Sequence, residues 1–204
     1  ASLYNCSYKG IHYDLDTRQL SIENMLSFVD NNTQLIILAN PNSPIGDYKT
    51  IDEIKPLLDT GIPVLIDEAY IEFSGKESMI QYIDEYPNLL VTRTFSKGFG
   101  AAGCRVGMTF SNPHYIENIS KFRQMYEISG VSLKYCEFLL NNHHLVDTYI
   151  QEVVEEKTKV VSMLKNYEVI DSNCNWIHFN NQDDNKKTKE IFDKHKVLVK
   201  YCKV

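Results

Sequence analysis

Residues 63–70 read Pro63-Val64-Leu65-Ile66-Asp67-Glu68-Ala69-Tyr70. A short apolar run that stops at an acid has the pattern of a strand buried in a parallel sheet. The same pattern recurs on both sides. Upstream, Leu35-Ile36-Ile37-Leu38 ends at Asn40-Pro41; downstream, Leu89-Leu90-Val91 ends in Thr92-Arg93-Thr94. Between the first two runs lies Thr50-Ile51-Asp52-Glu53, a capping-box pattern, and Gly61 closes that segment. Pro56 inside it predicts a short or broken helix. Val106-Gly107-Met108-Thr109-Phe110 offers a fourth strand. Strands alternating with helical segments predict an α/β fold with a mostly parallel sheet, its runs buried on both faces.

Beyond Phe110 the character changes. Asn112 to Leu140 reads as long helical material. Ile150, Val153, Val154, Val160, Val161 and Leu164 then fall on one helical stripe. Lys157 interrupts it, with a stem able to lie along the apolar surface while its amine reaches water. Trp176-Ile177-His178-Phe179, a polar stretch, and strand-like Val197-Leu198-Val199 predict a small α+β unit. A soft boundary near residue 146 gives a large domain over 1–146 and part of a small C-terminal domain over 147–204. The chain opens at Ala1 rather than Met and stops just past an apolar run, so we expect an internal piece of a longer protein.

Net charge is −6 over 204 residues, with no block of basic residues. Phosphate neutralisation supplies most non-specific nucleic-acid affinity, so no nucleic-acid partner is expected. No apolar stretch approaches the ~20 residues that span a bilayer, and no membrane partner is expected. The five cysteines, Cys6, Cys104, Cys136, Cys174 and Cys202, are odd in number and scattered, without a C-x-x-C. That excludes a disulfide framework or a structural zinc site and predicts buried reduced thiols in the cytoplasm. His143-His144 has no carboxylate or cysteine to complete a metal set, and no metal is expected.

Gly98-Phe99-Gly100-Ala101-Ala102-Gly103 matches the dinucleotide fingerprint letter for letter. The context does not match. Phe95-Ser96-Lys97 separates the glycines from the strand, strand-like residues follow them, and no acid stands about 20 residues on for a ribose.

Three segments carry chemistry together: Asn40-Pro41-Asn42-Ser43-Pro44-Ile45-Gly46, Asp67-Glu68-Ala69-Tyr70, and Thr94-Phe95-Ser96-Lys97-Gly98-Phe99-Gly100 continuing to Arg105-Val106-Gly107. The first two follow predicted strands directly and the third begins at the end of one, the edge where open α/β sheets bind ligands. Jointly they meet the demands of one cofactor, pyridoxal 5'-phosphate. Its aldehyde needs a primary amine, Lys97. Its pyridine nitrogen needs a carboxylate to stay protonated, and Asp67 is suited. Its ring hydroxyl needs donors, from Tyr70 and from Ser43 or Asn42. Its phosphate needs a cradle, from Arg105 with the Thr94 and Ser96 hydroxyls. Lys97, once freed, can move a substrate proton as base and acid. Glu68 reads as structural, and Asp183 to Lys187 as a solvated turn.

These segments resemble the fold type I pyridoxal-phosphate enzymes, class I/II aminotransferases close to the histidinol-phosphate aminotransferases. That family reads N-P-N-N-P-T-G, D-E-A-Y and S-K-x-x-G-x-A-G-x-R-x-G. The last pattern is met at Ser96, Lys97, Gly100, Ala102, Gly103, Arg105 and Gly107. The resemblance implies that Lys97 tethers the cofactor, Asp67 pairs with the pyridine nitrogen, Tyr70 donates to the ring oxygen, and Ala69 packs on the ring face. Phosphate contacts come from Thr94, Ser96 and Arg105. It also implies a homodimer with the site near the subunit interface, acting on a small-molecule amino donor and a keto or aldehyde acceptor. Two residues depart: Ser43 stands where the family has Asn, and Ile45 where it has Thr. Arg123-Gln124-Met125-Tyr126-Glu127 resembles a segment bordering the site, as substrate or dimer surface. Alternatives are a decarboxylase of a phosphorylated amino acid using the same cofactor site, a non-catalytic fragment, and the nicotinamide enzyme set aside above.

Overall fold

The computed structural model describes residues 5–14, 16–170, 172–180 and 185–200. The chain runs through α1 (Ile22–Ser27), β1 (Ile36–Ala39), α2 (Ile51–Leu58), β2 (Val64–Asp67), β3 (Leu89–Thr94), β4 (Gly107–Ser111), α3 (Pro113–Ser120), α4 (Gly130–Asn141), α5 (His143–Met163), β5 (Glu168–Ile170), β6 (His178–Asn180) and α6 (Asn185–Lys194). The sheet order is β1-β2-β3-β4. β1, β2 and β3 are parallel, and β4 returns antiparallel to β3. It is the mostly parallel α/β sheet that the apolar runs predict.

One face of the sheet holds the main core. Ile36, Leu38, Val64, Ile66, Leu89 and Val91 point to it and pack with Ile54, Leu57 and Leu58 of α2. α2 starts at Thr50, whose hydroxyl accepts the Glu53 amide while the Glu53 carboxylate accepts the Thr50 amide. Two of the orphan amides at the helix start are thereby satisfied. The helix is short, as Pro56 predicts, and runs two residues past it. Burial on both faces fails at β1. Ile37 is 61% exposed, because β1 is the edge strand and nothing among the described residues covers its other face.

A second cluster sits under the loop after β3. Phe95, Phe99, Ala101 and Val106 pack against Cys136 and Leu139 of α4 and Val146 of α5. The helical material between Asn112 and Leu140 is broken by a turn, with Asn112 capping α3 and Ser129 capping α4. The stripe on α5 is only half covered, since Val160 and Val161 are exposed. Residue 146 lies within the unbroken α5.

In the C-terminal part β5 pairs antiparallel with β6, and α6 follows. Val197, Leu198 and Val199 form no strand and are exposed, because no strand among the described residues is beside them. Asn185 to Lys187 open α6 rather than a turn; Asp183 and Asp184 lie outside the described residues. Cys136 and Cys174 are buried, Cys104 is half-buried, and Cys6 is exposed, against the expectation of burial; Cys202 lies outside the described residues.

Candidate active site

Register places the site. Ala39 pairs with Asp67 and Asp67 with Thr92, so the carboxyl ends of β1 and β2 lie in one row with Thr92 of β3. Three loops leave the sheet at that rim: 40–46, 68–70 and 95–106.

Asp67 Oδ1 accepts the Ala69 amide at 3.1 Å and the Thr92 hydroxyl at 3.4 Å. This local turn fixes the carboxylate, and Oδ2 has no protein partner among the described residues. Glu68 does a different job. It is fully buried, accepting the Ser78 hydroxyl at 2.6 Å and the Met79 amide at 2.5 Å. Burial pushes its carboxyl above the ordinary range against those hydrogen bonds. It anchors the chain behind the site.

The loop from β3 to β4 carries the amine. Phe95 and Phe99 bury beneath it with ring centroids 4.7 Å apart. The Ala101 amide donates to the Phe95 carbonyl at 2.8 Å, and the Gly100 amide to the Lys97 carbonyl at 2.9 Å. Gly98 rests on Glu72 so closely that a Cβ there would lie 2.7 Å from Glu72 Cβ. Glu72 in turn holds Arg93 at 2.7 Å. Burying two aromatic rings contributes roughly 1.5–3 kcal/mol each, enough to hold the loop while Lys97 stays exposed. Lys97 Nζ lies over the Tyr70 ring, 5.1 Å from its centroid, within reach of the attractive π face. No carboxylate among the described residues pairs with it.

Thr94 pairs with Gly107 at the mouth of the same hairpin. Its hydroxyl accepts the Ser96 amide at 3.1 Å and donates to the Val106 carbonyl at 3.4 Å. Arg105 has a left-handed backbone, φ +54°, and is exposed. Its Nη1 donates to the Ala102 carbonyl at 3.3 Å, and it makes no ion pair among the described residues. On the first loop, Asn40 is buried and exchanges hydrogen bonds with the Lys49 backbone at 2.7 and 2.8 Å. Asn42 Oδ1 accepts the Ile45 amide at 3.2 Å, and Ser43 is exposed.

The structure thus brings Lys97 and Tyr70 together, ties Asp67 to Ala69, and gathers Thr94, Ser96 and Arg105 on one hairpin. Among the described residues, Asn42 and Ser43 make no hydrogen bond to the other predicted residues. The donor set suits an anionic ligand with an electrophilic carbon, an N–H to meet Asp67 and a terminal oxyanion for Arg105. Sequence reasoning missed four contributors. Trp176 meets the Tyr70 ring at 4.6 Å. Glu72 and Arg93 support the loop, with Glu72 Oε2 and Arg93 Nε buried and without a hydrogen-bond partner among the described residues. Lys157 turns its amine inward to the Ser172 and Cys174 carbonyls at 2.6 and 2.8 Å instead of out to water. The lone tryptophan was the one available signal; the contacts join residues too distant in sequence to be read.

The profile of the family described as aminotransferase class I and II matches residues 2–204. The chain belongs to that family. The chain is 31% identical to a histidinol-phosphate aminotransferase of Flavobacterium johnsoniae over 186 residues, covering 88% of this chain and 53% of that protein. It is 35% identical to a histidinol-phosphate aminotransferase of Thermococcus kodakarensis over 125 residues, covering 61% of this chain and 37% of that protein. The chain spans about half the length, or less, of the curated relatives it matches. The fold of this class I and II family member is also that of a crystal structure of histidinol-phosphate aminotransferase from Sinorhizobium meliloti in complex with pyridoxal-5'-phosphate. That likeness has a TM-score of 0.79 at 21% identity, covering 94% of this chain and 55% of the other. Among the described residues no helix is long and apolar enough to cross a membrane.

Proposed function

We propose that this chain carries the cofactor-holding part of a pyridoxal 5'-phosphate-dependent aminotransferase. The enzyme moves an amino group between an amino acid, or an amino-alcohol phosphate, and a keto or aldehyde acceptor. The observation that carries this reading is the Lys97 amine, 5.1 Å from the Tyr70 ring centroid, with Asp67 three residues before that tyrosine at a strand end. The residues present fit the cofactor. Among the described residues the Lys97 amine has no carboxylate partner to compete for it. Asp67 keeps one oxygen open while the other is anchored. Arg105 has no acid paired with it among the described residues, and the Thr94 and Ser96 hydroxyls share its hairpin.

When bound, pyridoxal phosphate supplies an electron-accepting ring that absorbs the charge left by removal of a substrate proton. The chain does the rest. Lys97 Nζ would tether the group at rest and, once released, would take up and return the substrate proton as base and acid. The Asp67 carboxylate favours the protonated ring nitrogen. Tyr70 would donate its phenol O–H to the ring oxygen, with Asn42 and Ser43 as further donors, and Ala69 would pack on the ring. Arg105, Thr94 and Ser96 hold the phosphate by charge-assisted hydrogen bonds.

The same reading divides the chain near residue 146 into a large-domain part and part of a small domain. It makes the enzyme a cytoplasmic homodimer. Phe122, Met125 and Tyr126 are 87%, 81% and 92% exposed, and an apolar patch of that kind supports an interface with a second copy. The test supplies ¹⁵N-labelled amino donors with a keto acceptor to the natural gene product. Label is expected in the acceptor. Carbon dioxide released one for one with donor consumed, without label transfer, would identify a decarboxylase. No uptake of cofactor would leave a non-catalytic chain.

A further inference from the structure

Trp176 touches two of the three loops that build the site, though it stands 132 residues from one of its partners. Its indole Nε1 donates to the Pro44 carbonyl at 2.8 Å, inside the 40–46 loop. Its ring meets the Tyr70 ring in a T-shaped contact, centroids 4.6 Å apart and planes at 86°. Tyr70 is the ring over which Lys97 Nζ sits at 5.1 Å. A physical chain therefore runs from the Pro44 carbonyl through the indole and the phenol to the amine.

The indole is itself held. The Asn173 amide and its Nδ2 both donate to the Gly46 carbonyl, at 2.7 and 2.9 Å. The Cys174 thiol lies 3.7 Å from the Asn42 carbonyl. Lys157 Nζ donates to the Ser172 and Cys174 carbonyls from behind. His178 Nε2 shares the Pro44 carbonyl. Gly46, at φ +88°, gives the segment room: a Cβ there would lie 2.1 Å from Ser172 Oγ. The strap 172–178 is thus clamped to the site loop at several points, and Trp176 is its projection toward the chemistry.

We propose that Trp176 is a positioning residue that fixes the Tyr70 ring, and through it the aim of the phenol O–H and the seat of the Lys97 amine. This inference rests on the roles proposed above for Tyr70 and Lys97. An edge-to-face aromatic pair selects one ring orientation, because the quadrupoles are attractive in only some geometries. The indole hydrogen bond is directional and fixes where that pair can form. Losing both contacts favours local opening of the Tyr70 loop by about tenfold.

Two readouts test it, with Trp176→Phe, Trp176→Ala and Tyr70→Phe in the natural gene product. The first is hydrogen exchange of the apoprotein. Trp176→Ala is expected to speed exchange about tenfold in peptides spanning 42–48 and 68–73. Trp176→Phe keeps a ring but loses the Pro44 bond, so 42–48 quickens as in Trp176→Ala while 68–73 quickens clearly less. The second is the pH titration of the bound cofactor's absorption. Trp176→Ala should move the midpoint in the same direction as Tyr70→Phe, and the double variant should add nothing further. A uniform rise in exchange across the fold with an unmoved midpoint would mark Trp176 as a packing residue only and overturn the proposal. If Trp176→Ala does not fold, the split pattern of Trp176→Phe decides. Wild-type protein that takes up no cofactor would contradict the functional reading, and the exchange pattern would then decide the positioning role by itself.

Discussion

Gly98→Ala tests how the lysine loop is seated. Gly98 does not have a positive φ, so its backbone suits alanine and any penalty is steric. The added Cβ would meet Glu72 Cβ at 2.7 Å, Cγ at 2.8 Å and Oε2 at 3.1 Å. Those atoms cannot swing aside easily. Cβ moves only with the backbone, and the Glu72 side chain is 6% exposed and bound to Arg93 at 2.7 Å. The loop must shift instead, and overpacking of this kind costs about 1–3 kcal/mol. In a chain of this size, a loss of about 2 kcal/mol lowers Tm by about 4–8 °C. Because Lys97 is the preceding residue, cofactor association should weaken in step. The double variant with Glu72→Ala removes the Cγ and Oε2 contacts and leaves only the Cβ contact, so it should be less destabilised than the sum of the singles by about 0.5–1 kcal/mol. Gly100→Ala is the control: φ is +65° with nothing within 4 Å of the added Cβ, so it carries backbone strain but no coupling to Glu72. Urea unfolding measures all four. Gly98→Ala within about 0.5 kcal/mol of wild type, or strict additivity with Glu72→Ala, would refute the reasoning.

Lys157→Met should destabilise the strap 172–178 by about 2 kcal/mol, since two carbonyls lose a charged donor at 2.6 and 2.8 Å; thermal unfolding measures it, and an unchanged Tm would be contrary. Glu68 titrates above its ordinary value of 4.5 in the fold, chiefly through burial. The native state therefore holds that proton more tightly than the unfolded chain, a stabilisation full below pH 4.5 and lost as pH rises through the folded value. Glu68→Gln should flatten the decline of stability with rising pH in urea titrations; an unaltered slope would exclude Glu68 as its source. Asp67→Asn keeps an oxygen for the Ala69 amide and so keeps the fold, but loses the charge. Its kcat should fall by about 100-fold or more with an unchanged circular dichroism spectrum.

Much of the fold was legible because burial leaves a simple trace. The runs ending at Ala39, Asp67 and Thr94 are strands whose sequence order is their order in the sheet. Thr50 and Glu53 announced a helix start because a capping box is local chemistry. The direction of β4 was not legible, since pairing to β3 is set by the ten-odd residues that fold back between them and not by its own composition. The exposure of Ile37 depends on an edge position, and the loose run at Val197 to Val199 on having no strand beside it among the described residues. At the site, strand-end residues such as Asp67 and loop residues such as Lys97 stood out by chemical type and spacing. Trp176, Glu72 and Arg93 did not, because their contacts are long-range and their residue types are equally at home in any packed surface. The charge of Lys157 points to solvent, while the carbonyls that attract it lie 15 and 17 residues away.

The central claim is a covalent bond between the cofactor and one amine. Borohydride reduction of the purified natural gene product, followed by proteolysis and mass spectrometry, reads that bond directly. The account predicts a reduced pyridoxyl-phosphate adduct on the peptide bearing Lys97, lost in Lys97→Ala. An adduct on a different lysine, or none from protein incubated with excess cofactor, would contradict it.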